Sequence, residues 1–170
     1  PAQIAAAALA RVGKQDLAGL RVIVTAGPTV EDIDPVRFLG NRSTGKMGFA
    51  VAERAAARGA RVTLIAGPVG LATPFGVQRV DVRSALAMQT ALWEALGADL
   101  GQADALVMTA AVADYRPAET HATKLKRTGD RMTVELTPNP DLLAEIGAAR
   151  GSDRPVLVGF AVETGADAEV

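Results

Sequence analysis

The chain has no cysteine, which excludes a disulfide framework, a thiolate metal site and a thiol nucleophile. It has one histidine, His121, set among threonine and alanine in a polar stretch. A lone histidine there reads as a solvated loop residue, and no acyl-transfer triad can be drawn around it. Neither sign of charge is in excess: the net charge is −1, so nothing marks a nucleic-acid or polyanion surface. No apolar run reaches membrane-spanning length, and no secretory signal pattern follows Pro1. The expectation is a cytoplasmic domain that binds neither nucleic acid nor membrane. A chain opening on Pro1 rather than Met also suggests a piece cut from something longer.

What the chain does have is apolar content. At 49% hydrophobic over 170 residues it can bury one good core, so one main domain is expected. The alanine-rich residues 4–12 have helix-forming composition and stop at Gly13. Residues 1–18 therefore read as the linker or helical tail of an upstream domain, and 19–170 as the main domain. Buried strands are expected at 21–25, 61–66, 104–109 and 155–160, with a shorter one at 78–82. Helices are expected at 47–58, ending at Gly59, and at 85–96, capped by Ser84. A third helix is expected at 141–149, with Asn139 as cap and Pro140 as first residue. Segments 124–128 and 132–137 flank Gly129-Asp130 and read as a hairpin. The alternation predicts a doubly wound α/β sheet, Rossmann-like and mainly parallel, with a β-hairpin inserted after the fourth strand.

The stretch from Val22 to Gly48 departs from the ordinary strand-to-helix rhythm. Val22-Ile23-Val24-Thr25 is a strand broken by Gly27-Pro28, yet the next helical pattern begins only near Gly45. The long loop between carries Glu31, Asp32, Asp34, Arg37, Asn41 and Ser43, a length that is usually functional. Its far end, Ser43-Thr44-Gly45-Lys46, reads as a capped helix start whose N–H groups favour an anion. Gly40 to Lys46 satisfies the first positions of a Walker A loop. Met47 stands where the Mg²⁺-binding hydroxyl belongs, and no strand feeds Gly40, so that reading is rejected.

Ligands of such sheets bind at the carboxyl ends of the strands, here at Gly27, Gly67, 110–115 and 160–164. A nicotinamide enzyme is disfavoured. The first turn is Gly27-Pro28-Thr29 rather than G-x-G-x-x-G, no acid ends the second strand, and Tyr115 is followed by Glu119 where reductases carry lysine. Lys124, Lys126 and Arg127 form a basic cluster. Taken alone it reads as a protected edge strand. Beside an anion site at Ser43–Lys46 it suits a phosphate-rich ligand better. Asp114 is a candidate for a ribose diol, with a turn or cap role as the alternative.

The motifs AGPTVEDIDPVRFLGNRSTGKMG, AGPVGLATP, TAAVADYRP, KLKR, NPDLL and GFAVET, in this order, resemble the phosphopantothenoylcysteine synthetase family. This is the CTP-using ligase of coenzyme A synthesis, commonly fused behind a flavin-dependent decarboxylase. The resemblance runs from about Gly19 to Thr164. It implies a ligase that activates 4′-phosphopantothenate as an acyl-cytidylate and then joins it to cysteine, releasing pyrophosphate and CMP. It also implies Mg²⁺ carried by the nucleotide and a homodimer. By resemblance Asn41 serves the acyl intermediate and Lys124 the triphosphate, the two catalytic positions. The nucleotide pocket then comprises Ala110, Ala111, Asp114, Asn139, Pro140, Asp141, Leu142, Leu143 and Phe160, with Gly27, Ser43, Gly45 and Lys46 from the first loop. Thr44 replaces a serine and Arg127 a lysine of the family's pattern. The family continues past the position of Val170 with another helix, further strands and two nucleotide-contacting lysines. Residues after Glu163 are therefore expected to lack a helix on which to dock. A nucleotide-binding module without catalysis, and less readily an NAD(P)-dependent reductase, stay open as alternatives.

Overall fold

The structure is a computed structural model that describes residues 4, 7, 8, 11–127, 129 and 131–162. The expectation for residues after Glu163 falls outside the described residues, as do residues 5, 6, 9 and 10 of the helix expected at the start of the chain. The described residues between 4 and 12 are helical.

Five strands form the central sheet: β1 (Arg21–Ala26), β4 (Arg61–Ala66), β5 (Val77–Asp81), β6 (Ala105–Met108) and β9 (Val156–Gly159). They lie in the order β5-β4-β1-β6-β9, and every pairing is parallel. Strand order reverses between β1 and β6, so the switch-point crevice opens beyond Ala26 and Met108. The sheet is the doubly wound one expected from the alternation of elements.

Period-2 alternation splits each central strand between two cores. Val22, Val24 and Ala26 of β1, with Val62, Leu64 and Ala66 of β4, face helix α1 (Lys46–Ala57) through Phe49, Ala52 and Ala55. Ile23, Ile65 and Leu106 face the other side, against α2 (Ala85–Leu96) and α3 (Leu142–Ala149) through Met88, Leu92, Leu96, Leu142 and Ile146. Burying both faces is why these strands read as unbroken apolar runs.

The loop after β1 is not irregular throughout. It folds back on itself as a two-stranded antiparallel ribbon, β2 (Val30–Asp32) against β3 (Phe38–Gly40). Three-residue strands with mixed burial carry too little periodicity to be read from sequence. Glu31, only 4% exposed, spends its carboxylate on the first N–H of α2, accepting from Ala85 N at 2.8 Å. Ser84 caps the same end by accepting from Ala87 N at 3.2 Å. The ribbon is thereby fastened to the sheet through a helix terminus.

An antiparallel pair is inserted after β6, but its strands are β7 (Tyr115–Pro117) and β8 (Leu136–Pro138). The expected hairpin over 124–128 and 132–137 is corrected accordingly. Residues 124–127 and 131–135 are not strand, and residues 128 and 130 fall outside the described ones. The Gly129-Asp130 signal fitted a tight turn, whereas the pairing is made by residues much further apart along the chain.

Candidate ligand site at the switch point

The crevice is lined first by backbone. Gly27 and Gly45 both have positive φ, +78° and +73°, a region open to glycine at no steric cost. Both are buried, and a Cβ on Gly45 would lie 3.2 Å from Val69 Cγ1 and 3.3 Å from the Gly27 nitrogen. Gly45 thus lets its own chain pass close to Gly27 and Val69. Three residues on, a Cβ at Gly48 would meet Ala26 Cβ at 2.5 Å and Thr25 O at 2.9 Å, so α1 packs directly on β1. Gly45 thus lies against Gly27, and Gly48 against β1, although the β2–β3 ribbon separates Gly27 from Gly45 in sequence. Spacing alone hid this, because the ribbon intervenes.

The start of α1 is capped differently from expectation. Gly45 is the N-cap and no side chain caps the helix; Ser43 Oγ instead accepts from Gly45 N at 3.3 Å. Thr44 and Lys46 are exposed.

The segment after β6 forms the opposite wall, and nearly every peptide group in it is held. Thr25 Oγ1 accepts from Ala110 N at 3.2 Å, and Thr109 Oγ1 donates to Thr25 O at 2.6 Å. Ala111 N donates to Gly27 O at 2.9 Å, while Thr29 N donates to Ala111 O at 3.2 Å. Thr29, fully buried, accepts from Ala113 N at 2.9 Å. Asn41 Nδ2 donates to Val112 O at 2.9 Å, and Asn139 Nδ2 donates to Ala113 O at 2.8 Å. Asn139 N also donates to Asp114 O at 2.7 Å. Thr25 and Thr29 were missed in the sequence; hydroxyls flanking a strand-ending glycine were the available signal.

Asn139 therefore binds across the crevice rather than capping α3. The cap is Asp141, which accepts from Ala144 N at 3.0 Å. Asn139 Oδ1 is bound as well, accepting from Arg116 Nη1 at 3.1 Å. Leu142 is buried in the core, so what it offers a ligand is backbone. Leu143 packs beside Gly159 of β9, Pro140 is half-buried, and Phe160 is 54% exposed just past that strand. The structure brings together Gly27, Asn41, Ala110, Ala111, Asp114 and Asn139, with Asp114 exposed at the rim.

Lys124 is not in that wall. Its segment runs along the ribbon instead: Thr120 Oγ1 donates to Asp32 O at 3.1 Å and His121 N to Ile33 O at 2.9 Å. Lys124, Lys126 and Arg127 are exposed. Asp34, 1% exposed, sits at the ribbon's tip, bonded to the Arg37 guanidinium and to the N–H groups of Val36, Arg37 and Leu125. Burial pushes its carboxyl up, but those partners together outweigh burial and hold it well below the usual carboxylate range. Among the described residues no three His, Cys, Asp or Glu side chains gather as a metal cage, and no helix is long and apolar enough to cross a membrane.

A doubly wound sheet whose switch point is walled by glycine backbone, threonine hydroxyls and two asparagine amides defines an α/β domain of the Rossmann-like class. The chain belongs to the DNA/pantothenate metabolism flavoprotein C-terminal domain family, which matches over residues 17–170. It is 50% identical over 151 residues to the coenzyme A biosynthesis bifunctional protein CoaBC of Haemophilus influenzae, covering 89% of this chain and 36% of that protein. The chain thus spans about a third of such relatives. The crystal structure of the C-terminal domain of a CoaBC superposes with TM-score 0.74 at 41% identity, covering 88% of this chain and 68% of that one. A Cab2 mutant in complex with phosphopantothenate-cysteine shares the fold, with TM-score 0.59 at 17% identity over 85% of this chain and 65% of that one.

Proposed function

We propose that this domain is a phosphopantothenate–cysteine ligase of coenzyme A synthesis that uses CTP. The observation that carries the reading is the convergence of Asn41, Asn139 and the 110–114 segment on one crevice, in a chain half identical to a CoaBC protein.

In this reading the carboxylate of 4′-phosphopantothenate attacks the α-phosphorus of CTP. The bond to the β-phosphate breaks and pyrophosphate leaves. The amine of cysteine then attacks the acyl carbon of the acyl-cytidylate, the acyl C–O bond breaks, CMP departs with that bond's electron pair on its phosphate oxygen, and the amine's proton goes to solvent. Asn41 has two amide hydrogens. One is held by Val112 O; the other meets the oxygen that gains charge as the amide forms. Backbone groups around Ala110 and Phe160 read the base, and Asp114 the ribose. Ser43, Lys46 and the N–H groups at the starts of α1 and α3 (Asp141, Leu142 and Leu143, which follow Pro140) face phosphate. Lys124 neutralises the triphosphate.

Mg²⁺ accompanies the nucleotide, borne on its phosphates. The domain occupies 19–170, behind a 1–18 linker to a flavin-dependent decarboxylase. It works as a cytoplasmic homodimer.

The test mixes the full chain with 4′-phosphopantothenate, cysteine and either CTP or ATP, following pyrophosphate, CMP and the amide product. CTP-dependent release of pyrophosphate and CMP with product formation is the expected result. Tight CTP binding without turnover would leave a nucleotide-binding module, and equal use of ATP would remove the CTP assignment.

A further inference from the structure

The ribbon has two ends, and each end holds a different part of the site. At its base Thr29 and Asn41 bind the 110–114 segment. At its tip, roughly 10 Å away for three residues of strand, Asp34 and Arg37 bind the backbone of Leu125. Leu125 N donates to Asp34 Oδ2 at 3.1 Å, and Leu125 O accepts from Arg37 Nη2 at 2.8 Å. One ion pair, Arg37 Nη2 to Asp34 Oδ2 at 2.6 Å, thus grips both polar groups of a single residue, as a neighbouring strand would. Arg37 Nη1 also contacts Met132 Sδ at 3.3 Å, on the returning arm of the same long loop.

Leu125 stands between Lys124 and Lys126, and it is half-buried while both lysines are exposed. Holding that one residue from both sides fixes the direction in which its neighbours leave the loop. A lysine on a free loop has a flexible stem and must be ordered when it binds. A gripped backbone removes part of that ordering cost beforehand.

We propose that the Asp34–Arg37 pair is a positioning device for Lys124 and Lys126, setting the basic segment at a fixed distance from the switch-point crevice so that it meets the phosphate chain of a nucleotide. This rests on the reading of Lys124 as a triphosphate contact. Asp34 and Arg37 act through Leu125, whose two backbone polar groups they bind. Asp34 is the better handle, because its buried carboxylate turns the ribbon tip and takes Leu125 N in one constellation.

A double-mutant cycle tests it on the full chain, with tripolyphosphate and CTP as calorimetric probes. Asp34→Asn should weaken both on the order of tenfold, similar to losing one charged contact. In a Lys124→Gln/Lys126→Gln background the same substitution should cost nothing further. The Leu125 amide should exchange with deuterium faster in Asp34→Asn, while amides of β1 and β4 keep their protection. Should Asp34→Asn fail to fold, Arg37→Lys runs through the same cycle, keeping the ion pair but not the reach to Leu125 O. Equal losses in both backgrounds overturn the proposal and leave the triphosphate reading standing. Probe binding untouched by the double lysine substitution overturns that reading and the proposal with it.

Discussion

Asn41 donates its side-chain amide to the carbonyl of Val112 at 2.9 Å, across 71 residues of sequence. The bond joins the end of the β2–β3 ribbon to the segment after β6, so the amide is both a strut and a candidate reacting-site donor. One of its hydrogens is committed to the fold and one remains for chemistry.

Asn41→Asp separates those roles. The carboxylate has no hydrogen for Val112 O or for a developing oxyanion. If the strut is dispensable, pyrophosphate release continues while amide formation falls by about 10²–10³, the usual cost of an oxyanion donor. Acyl-cytidylate should then accumulate, seen by mass spectrometry of quenched reactions. Loss of pyrophosphate release as well would show that the 110–114 wall needs the strut.

Lys124→Gln tests the basic segment directly. The side chain is exposed, so thermal stability should move by well under ~1 kcal/mol. Activation should fail, with neither pyrophosphate nor intermediate appearing. Near-normal turnover would return Lys124 to the role of a solvated charge.

Gly48→Ala should reverse the ordinary rule for helix interiors. Replacing glycine by alanine there usually stabilises by up to ~1 kcal/mol. Here the new Cβ would meet Ala26 Cβ at 2.5 Å and the Thr25 carbonyl at 2.9 Å. Strand backbone cannot yield as a flexible side chain can, so a loss of about 1–3 kcal/mol is expected from urea midpoints. A stabilised variant would mean that α1 can lift from the sheet without penalty.

Acid should weaken the fold through Asp34. Its folded pKa lies well below the ordinary 3.8, so as pH falls the unfolded chain takes up the proton first. The group's contribution is complete above the unfolded value and is lost progressively on acidification from about pH 5 downward. Asp34→Asn should lower stability at neutral pH and flatten the decline below pH 5, read from urea midpoints across that range. A decline as steep as in the parent would assign acid sensitivity to other carboxylates, such as Asp104 with its Arg21 and Arg154 partners, whose pKa is also lowered.

Much of this architecture was legible in the sequence because local patterns sufficed. The Val-Ile-Val run of β1, the Ser84 cap of α2 and the apolar runs of β4 and β6 each depend on neighbours a few residues apart, and those elements stand where periodicity put them. The order of motifs also pointed to the family to which the chain belongs. Tertiary structure alone decided which distant groups meet. The β2–β3 ribbon separates Gly27 from Gly45, a contact that no local spacing rule could foresee. Asn139 looked like a cap and became a bridge, because Asp141 could satisfy the helix while only Asn139 reached Ala113. Asp34 looked like one acid among several until folding buried it beside Arg37 and Leu125. A hydrogen bond between remote segments is specified by chain closure, not by the residues beside it.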